Sequence, residues 1–161
     1  MTAPAAARPA IDGWFADGPQ PHLVGQSCPA CSTTVFPPTA TTCPNPSCRS
    51  DDLTRRPLAR TGTVWSWATN HYEPPAPYVP PDPFVPYTVV AVELDDESLV
   101  VLGQLTADAD PADLRVGAPV EVIVETLFID DEGPRTIWRF RPTSLTPQAG
   151  NAGPSPLRGE V

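Results

Sequence analysis

Cys28-Pro29-Ala30-Cys31 and Cys43-Pro44-Asn45-Pro46-Ser47-Cys48 carry the only four cysteines of the 161-residue chain. Their spacing is Cys-x2-Cys and Cys-x4-Cys, with eleven residues between the pairs. Cysteines this close in sequence can turn two sulfurs towards one ion, and two such turns supply four soft ligands for a tetrahedral zinc. The alternative is a pair of disulfides. It fits less well, because nothing in the chain resembles a secretory signal and such tight disulfide loops are unusual. Four protein thiolates fill the coordination sphere and leave no position for water or substrate. The expected Zn2+ is therefore structural, ordering a segment with little core of its own.

Other side chains offer weaker signals. Ile11, Trp14 and Phe15 fall at i, i+3 and i+4, so a short helical turn would put them on one face. That face is either a local anchor or a hydrophobic contact for a partner. Arg55, Arg56 and Arg60 form a basic stretch, either solvated or poised to contact a phosphorylated cofactor or an acidic surface. Seven prolines crowd residues 73–86, with Tyr78 and Phe84 among them. Such a segment is stiff and cannot join a sheet, so its aromatics could bind with little loss of entropy, or it could simply pack on its own domain. His71 beside Glu73 could act as a general base, although a histidine ending a strand is the plainer reading.

Composition narrows the choices. There are 19 acidic residues against 10 basic ones, and every basic residue is arginine. Residues 1–60 hold five arginines and four aspartates, a net of +1, whereas 61–161 hold five arginines and fifteen acids, a net of −10. A surface so acidic repels phosphate backbones and argues against nucleic acid as a partner. No apolar run approaches the roughly 20 residues of a membrane span. The N-terminus has neither the charged start nor the apolar centre of a signal peptide. With reduced thiols, this points to the cytoplasm.

The elements that must carry these residues are mostly strands. Residues 1–10 are rich in alanine and proline and read as disordered. Residues 11–60 read as a zinc ribbon: two metal knuckles joined by a small hairpin, with a short strand over 32–36 and a basic connector over 49–60. Residues 61–142 carry five strands, over 63–72, 87–94, 99–105, 120–129 and 136–141. A helical turn is expected at 108–114, and a bulge near Thr126 where the alternation changes phase. Alternation sets Trp65 and Trp67 on one side of the first strand, and Trp138 and Phe140 inward on the last. Five strands with one short helical connection predict an OB-type barrel, with a small sandwich as competitor. The chain is thus mainly β: a four-cysteine zinc ribbon followed by a five-stranded OB-fold. Residues 143–161 read as a flexible tail. OB barrels that bind single-stranded nucleic acid stack bases on aromatics such as Trp65 and Trp67, but the acidic balance opposes that use here.

Beyond its elements, the chain resembles a known family: acyl-CoA-associated proteins with a rubredoxin-like zinc ribbon followed by an OB-fold. The residues that carry the resemblance are Cys28-Pro29-Ala30-Cys31, Val35-Phe36-Pro37-Pro38, Cys43 and Cys48. They continue through Gly62-Thr63-Val64-Trp65-Ser66-Trp67, Pro86-Tyr87-Thr88-Val89-Val90-Ala91-Val92-Glu93-Leu94, Val116-Gly117-Ala118-Pro119-Val120 and Phe140-Arg141-Pro142. There are departures: Ser32 and Arg49 stand where the family commonly has glycine, and the second knuckle is two residues longer. The resemblance implies an accessory subunit of a thiolase-like or lipid-transfer-protein-type enzyme, a thiolase or aldolase acting on acyl-CoA thioesters. Some such proteins are fused to hydratase domains in steroid side-chain degradation. It implies a hetero-oligomer whose partner supplies the catalytic residues, with acyl-CoA at the shared interface and four cysteine metal ligands here. Contact with the partner or acyl-CoA is then expected at Trp14, Phe15, Arg55, Arg56, Arg60, Tyr78 and Phe84.

Overall fold

Short strands separated by glycine and proline build the first third of the chain. The computed structural model describes residues 6–76 and 79–143. The first strands are β1 (Arg8–Pro9), β2 (Phe15–Ala16), β3 (His22–Ser27), β4 (Thr34–Val35) and β5 (Thr54–Pro57). β3 is the spine of the ribbon. It pairs antiparallel with β2 at Phe15↔Leu23, with β4 at Gln26↔Val35, and with β5 from Val24↔Pro57 to Ser27↔Thr54. β4 stops at two residues because Pro37 and Pro38 bring no N–H to a ladder.

Three expectations need correction here. Residues 49–60 are not only a connector, since 54–57 are a ribbon strand. Its residues are all exposed, so main-chain pairing with β3 forms it without an apolar stripe. The turn at Ile11 to Phe15 is not helical. Gly13 sits at φ 75°, a left-handed conformation that ends any helical path, and Phe15 enters β2 directly. Nor are residues 8–10 disordered. Arg8 and Pro9 pair parallel with the last strand, and the Ala10 amide donates to the Thr136 carbonyl at 2.8 Å.

The remaining strands are β6 (Thr61–Asn70), β7 (Tyr87–Leu94), β8 (Val100–Leu105), β9 (Pro119–Asp130) and β10 (Gly133–Pro142). The sheet order is β1-β10-β8-β7-β6-β9, and β9 also pairs with β10, which closes β6 to β10 into a five-stranded barrel. The connection from β8 to β9 holds a 3-10 turn, Pro111–Asp113, capped by Asp110 accepting from the Ala112 amide. The bulge expected near Thr126 lies one residue on. Thr126 pairs with Thr136 and Phe128 with Arg135, leaving Leu127 as the extra residue. A second bulge was not expected. Val64 pairs with Val92 and Ser66 with Ala91, so Trp65 is extra and leaves the alternation that would set it beside Trp67.

Val90, Val92, Leu94, Val120, Val122 and Phe140 fill the barrel, each almost fully buried. Gly103 is needed on β8: a Cβ there would lie 2.7 Å from Phe140 Cε2 and 2.8 Å from Trp138 Nε1. The core does not stop at the barrel wall. Phe15, Leu23 and Leu58 from the ribbon half belong to the same buried cluster. Between β6 and β7, the described residues of the proline-rich segment join no strand. No helix among the described residues is long and apolar enough to cross a membrane.

Candidate metal centre

Each cysteine pair sits on a turn that aims its sulfurs inward. In the first knuckle the Ser32 amide donates to the Cys28 carbonyl at 2.8 Å, and the Cys28 amide to the Thr33 carbonyl at 3.0 Å. In the second, Asn45 holds the extra length: its carbonyl accepts from the Cys48 amide at 3.0 Å, and its side chain accepts from the Ser47 amide. The Cys43 amide donates to the Ser50 carbonyl at 2.7 Å and closes the loop. Ser32 and Arg49, at the two positions where glycine was expected, take φ of 61° and 54°. Both knuckles therefore keep the left-handed turn that glycine would make, on residues that adopt it at a cost.

All four cysteines are free thiols, which removes the disulfide alternative. Their sulfurs lie within 4.8 Å of one another, with Cys28 and Cys48 at 3.7 Å and Cys31 and Cys43 at 3.5 Å. Zinc–sulfur bonds of about 2.3 Å in a tetrahedron set sulfurs about 3.8 Å apart. The cluster fits a zinc ion, and the bound metal would tie the two knuckles together.

Local groups set the sulfurs apart. The Thr33 hydroxyl lies 3.1 Å from Cys31 Sγ, and it and the Thr33 amide bring that thiol down to about 6. Burial pushes the Cys43 thiol up to about 11, against the pull of the Asn45 amide. At Cys48 the Ser50 amide acts to lower the thiol, but burial with Cys31 and Cys28 nearby leaves it raised. A metal ion needs all four as thiolates, so it must displace the protons that burial favours.

Two sets of contacts position the ribbon. Gln26 on β3 is buried, and its side-chain amide makes two bonds to one residue: Nε2 donates to the Ala40 carbonyl at 3.2 Å, and Oε1 accepts from the Ala40 amide at 3.0 Å. This fixes the loop that leads into the second knuckle. Trp138 of β10 anchors the other side. Its ring lies 5.7 Å from Phe15, 5.7 Å from Phe36 and 6.2 Å from Trp14, while its Nε1 donates to the Leu102 carbonyl. Glu97, in the turn between β7 and β8, completes the junction. Its carboxylate accepts from Arg56 at 2.9 Å and from the Ala59 amide at 3.1 Å, with only 2% of the side chain exposed. Neither Gln26 nor Glu97 stood out in the sequence, because each acts on a residue distant along the chain.

The expected contact residues separate. Phe15 is buried in the isolated chain, and Trp14, half-exposed, packs with it against Trp138 and Phe36. Both side chains thus pack the ribbon half onto the barrel. Arg55 and Arg56 neighbour each other on β5, so their side chains leave opposite faces. Arg55 donates to the Gly13 carbonyl, Arg56 to Glu97, and Arg60 to the Pro21 carbonyl. Each arginine thus also braces the ribbon against its neighbours. Phe84 is half-buried, and Tyr78 lies outside the described residues. His71 is exposed just beyond the end of β6, as is Glu73.

Comparison with known proteins agrees with this architecture. Residues 15–54 match the family model described as ChsH2, rubredoxin-like zinc ribbon domain, and residues 55–125 match ChsH2, C-terminal OB-fold domain. A solved structure titled Ltp2-ChsH2(DUF35) aldolase is 35% identical, covering 84% of this chain and 98% of that one, with a TM-score of 0.60. Benzoylsuccinyl-CoA thiolase subunit BbsA of Thauera aromatica is 29% identical over 127 residues, 78% of this chain and 80% of that protein. The "Probable enoyl-CoA hydratase alpha subunit" of Thermomonospora curvata is 34% identical over 139 residues, and the chain spans 39% of its length. Cysteines, ribbon and closed barrel in this order, with these matches, show that the chain belongs to the ChsH2 family of zinc-ribbon and OB-fold proteins.

Proposed function

We propose that this chain is a non-catalytic accessory subunit of a thiolase-like enzyme acting on acyl-CoA thioesters, a thiolase or a carbon–carbon lyase of the aldolase kind. The observation that carries this reading is the aldolase structure, whose matching chain is covered over 98% of its length at 35% identity. The thiolase-subunit relative supports the same class of partner. The partner supplies the bond-breaking residues. The metal-tied ribbon, braced on the barrel through Trp138 and Glu97, gives it a preformed docking surface. Preorganisation of this kind reduces the entropy lost on association.

The finer assignments belong to the same proposal. Arg55, Arg56, Arg60, Trp14, Phe84 and Tyr78 contribute to the face met by the partner or by acyl-CoA. The complex works in the cytoplasm, with steroid side chains as the substrate class. Co-expression with a candidate thiolase-like protein from the same genome tests the central point. A stable hetero-oligomer of defined stoichiometry is expected, and two proteins that elute separately at micromolar concentration would refute it.

A further inference from the structure

The outer face of β6, β7 and β8 departs from the pattern of a half-solvated sheet. An antiparallel sheet with one face in water normally sets polar residues on that face. Here Val64, Val90, Val92 and Val101 point inward and are buried, yet the outward positions are apolar as well. Leu102 pairs with Ala91, and Ala91 with Ser66, across the three strands. Val100 lies two residues from Leu102 on β8, so it shares that side. Trp65 follows the inward Val64 and stands out beside Ser66 at the bulge. Leu102 is 61% exposed, Trp65 57% and Val100 43%. Isolated apolar residues at a surface are ordinary, but large ones gathered on one sheet face around a small residue mark a place of contact.

Charge narrows the choice of partner. Glu93 is the only charged residue on the three strands, and none of them carries an arginine. Asp95 and Asp96 are exposed in the turn that joins β7 to β8, and Glu73 is exposed just beyond β6. The face is therefore apolar at its centre and acidic at both ends. The second and third strands of an OB barrel present a common face for nucleic acid, but phosphates need cations that this one lacks. A second copy of the chain would bring the same acids to the same rim. We propose that this face docks a protein surface with an apolar centre and a basic rim, presented by the thiolase-like partner. The inference rests on the accessory-subunit reading and adds a barrel contact to the ribbon residues named there.

The test is binding of the zinc-loaded full chain to a candidate thiolase-like protein from the same genome, followed by surface plasmon resonance. Leu102→Glu should weaken the complex at least about tenfold, with zinc content and thermal midpoint unchanged. Trp65→Glu, on a different strand, should do the same and stands in if the first variant folds poorly. Raising salt from about 0.05 M to about 0.5 M should slow association of the parent chain several-fold, because opposite charges steer the encounter. A complex that forms with the parent chain but is unmoved by either folded variant would overturn this inference and leave the accessory reading standing. An association rate indifferent to salt would remove the basic rim. Self-association that Leu102→Glu abolishes would give the face to a second copy and overturn the proposal. No complex with the parent chain would refute the accessory reading, and this inference with it.

Discussion

Two residues in the metal knuckles sit where their side chains disfavour the backbone. Ser32 and Arg49 hold left-handed φ angles, 61° and 54°, at the turns that follow Cys31 and Cys48. For residues with a Cβ this conformation costs about 1–2 kcal/mol, of which glycine's greater freedom when unfolded returns a part. Ser32→Gly and Arg49→Gly should therefore each stabilise the zinc-loaded chain by about 0.5–1 kcal/mol, measured as a higher denaturant midpoint with unchanged slope. The thiols make a second prediction. Below the raised values of Cys43 and Cys48 these two carry protons in the metal-free fold, whereas Cys31, brought down to about 6, is largely a thiolate at neutral pH. Zinc uptake at pH 7 should release the protons of Cys43 and Cys48, and affinity should fall as pH drops. Calorimetric titration in buffers of different ionisation enthalpy measures that release. The four cysteines were legible because metal binding imposes short, regular spacing. Thr33, which sets Cys31 apart, was not legible, since a threonine beside a knuckle has no spacing rule of its own.

At the scale of elements, legibility followed the apolar pattern. The buried strand Tyr87–Leu94 was expected with the same limits, because its β-branched run has no other good use. The bulge on β9 could be placed to within a residue because a change of phase in alternating side chains shows where one is extra. β5 was missed for the opposite reason: Thr54, Arg55, Arg56 and Pro57 are all exposed, and the strand exists through its ladder with β3. The bulge at Trp65 was missed because a tryptophan on a strand reads equally well in either phase. Gln26 shows how such an element is pinned. Its amide satisfies both main-chain groups of Ala40 from a buried position. Gln26→Ala should leave those groups unpaired and destabilise the chain by about 1–3 kcal/mol. Faster amide exchange confined to the segment between β4 and the second knuckle would show that the loss is local.

Over the whole molecule, ribbon and barrel share one core rather than meeting at a polar seam. Phe15, Leu23 and Leu58 join the barrel cluster, and Trp138 of the barrel packs on Trp14 and Phe36 of the ribbon half. Reading the two halves as separate units hid this, because nothing in either pattern shows which aromatic meets which. The shared core has a consequence for metal removal. Chelation should loosen residues 22–50, change the fluorescence of Trp14 and Trp138 together, and lower the thermal midpoint of the barrel strands as well. A barrel transition untouched by chelation would mean that the halves are energetically independent. The same coupling lets an ion with no open coordination position influence a catalyst: it holds the ribbon face to which the partner would bind.

The rate of acyl-CoA carbon–carbon bond cleavage or formation by the thiolase-like partner, titrated with this chain, bears most directly on that role. The zinc-loaded chain alone should give no turnover, the partner's rate should rise to a plateau at a fixed subunit ratio, and the zinc-stripped chain should raise it far less. Thioester turnover by the chain alone, or a partner rate indifferent to the zinc-loaded chain, would contradict an accessory role.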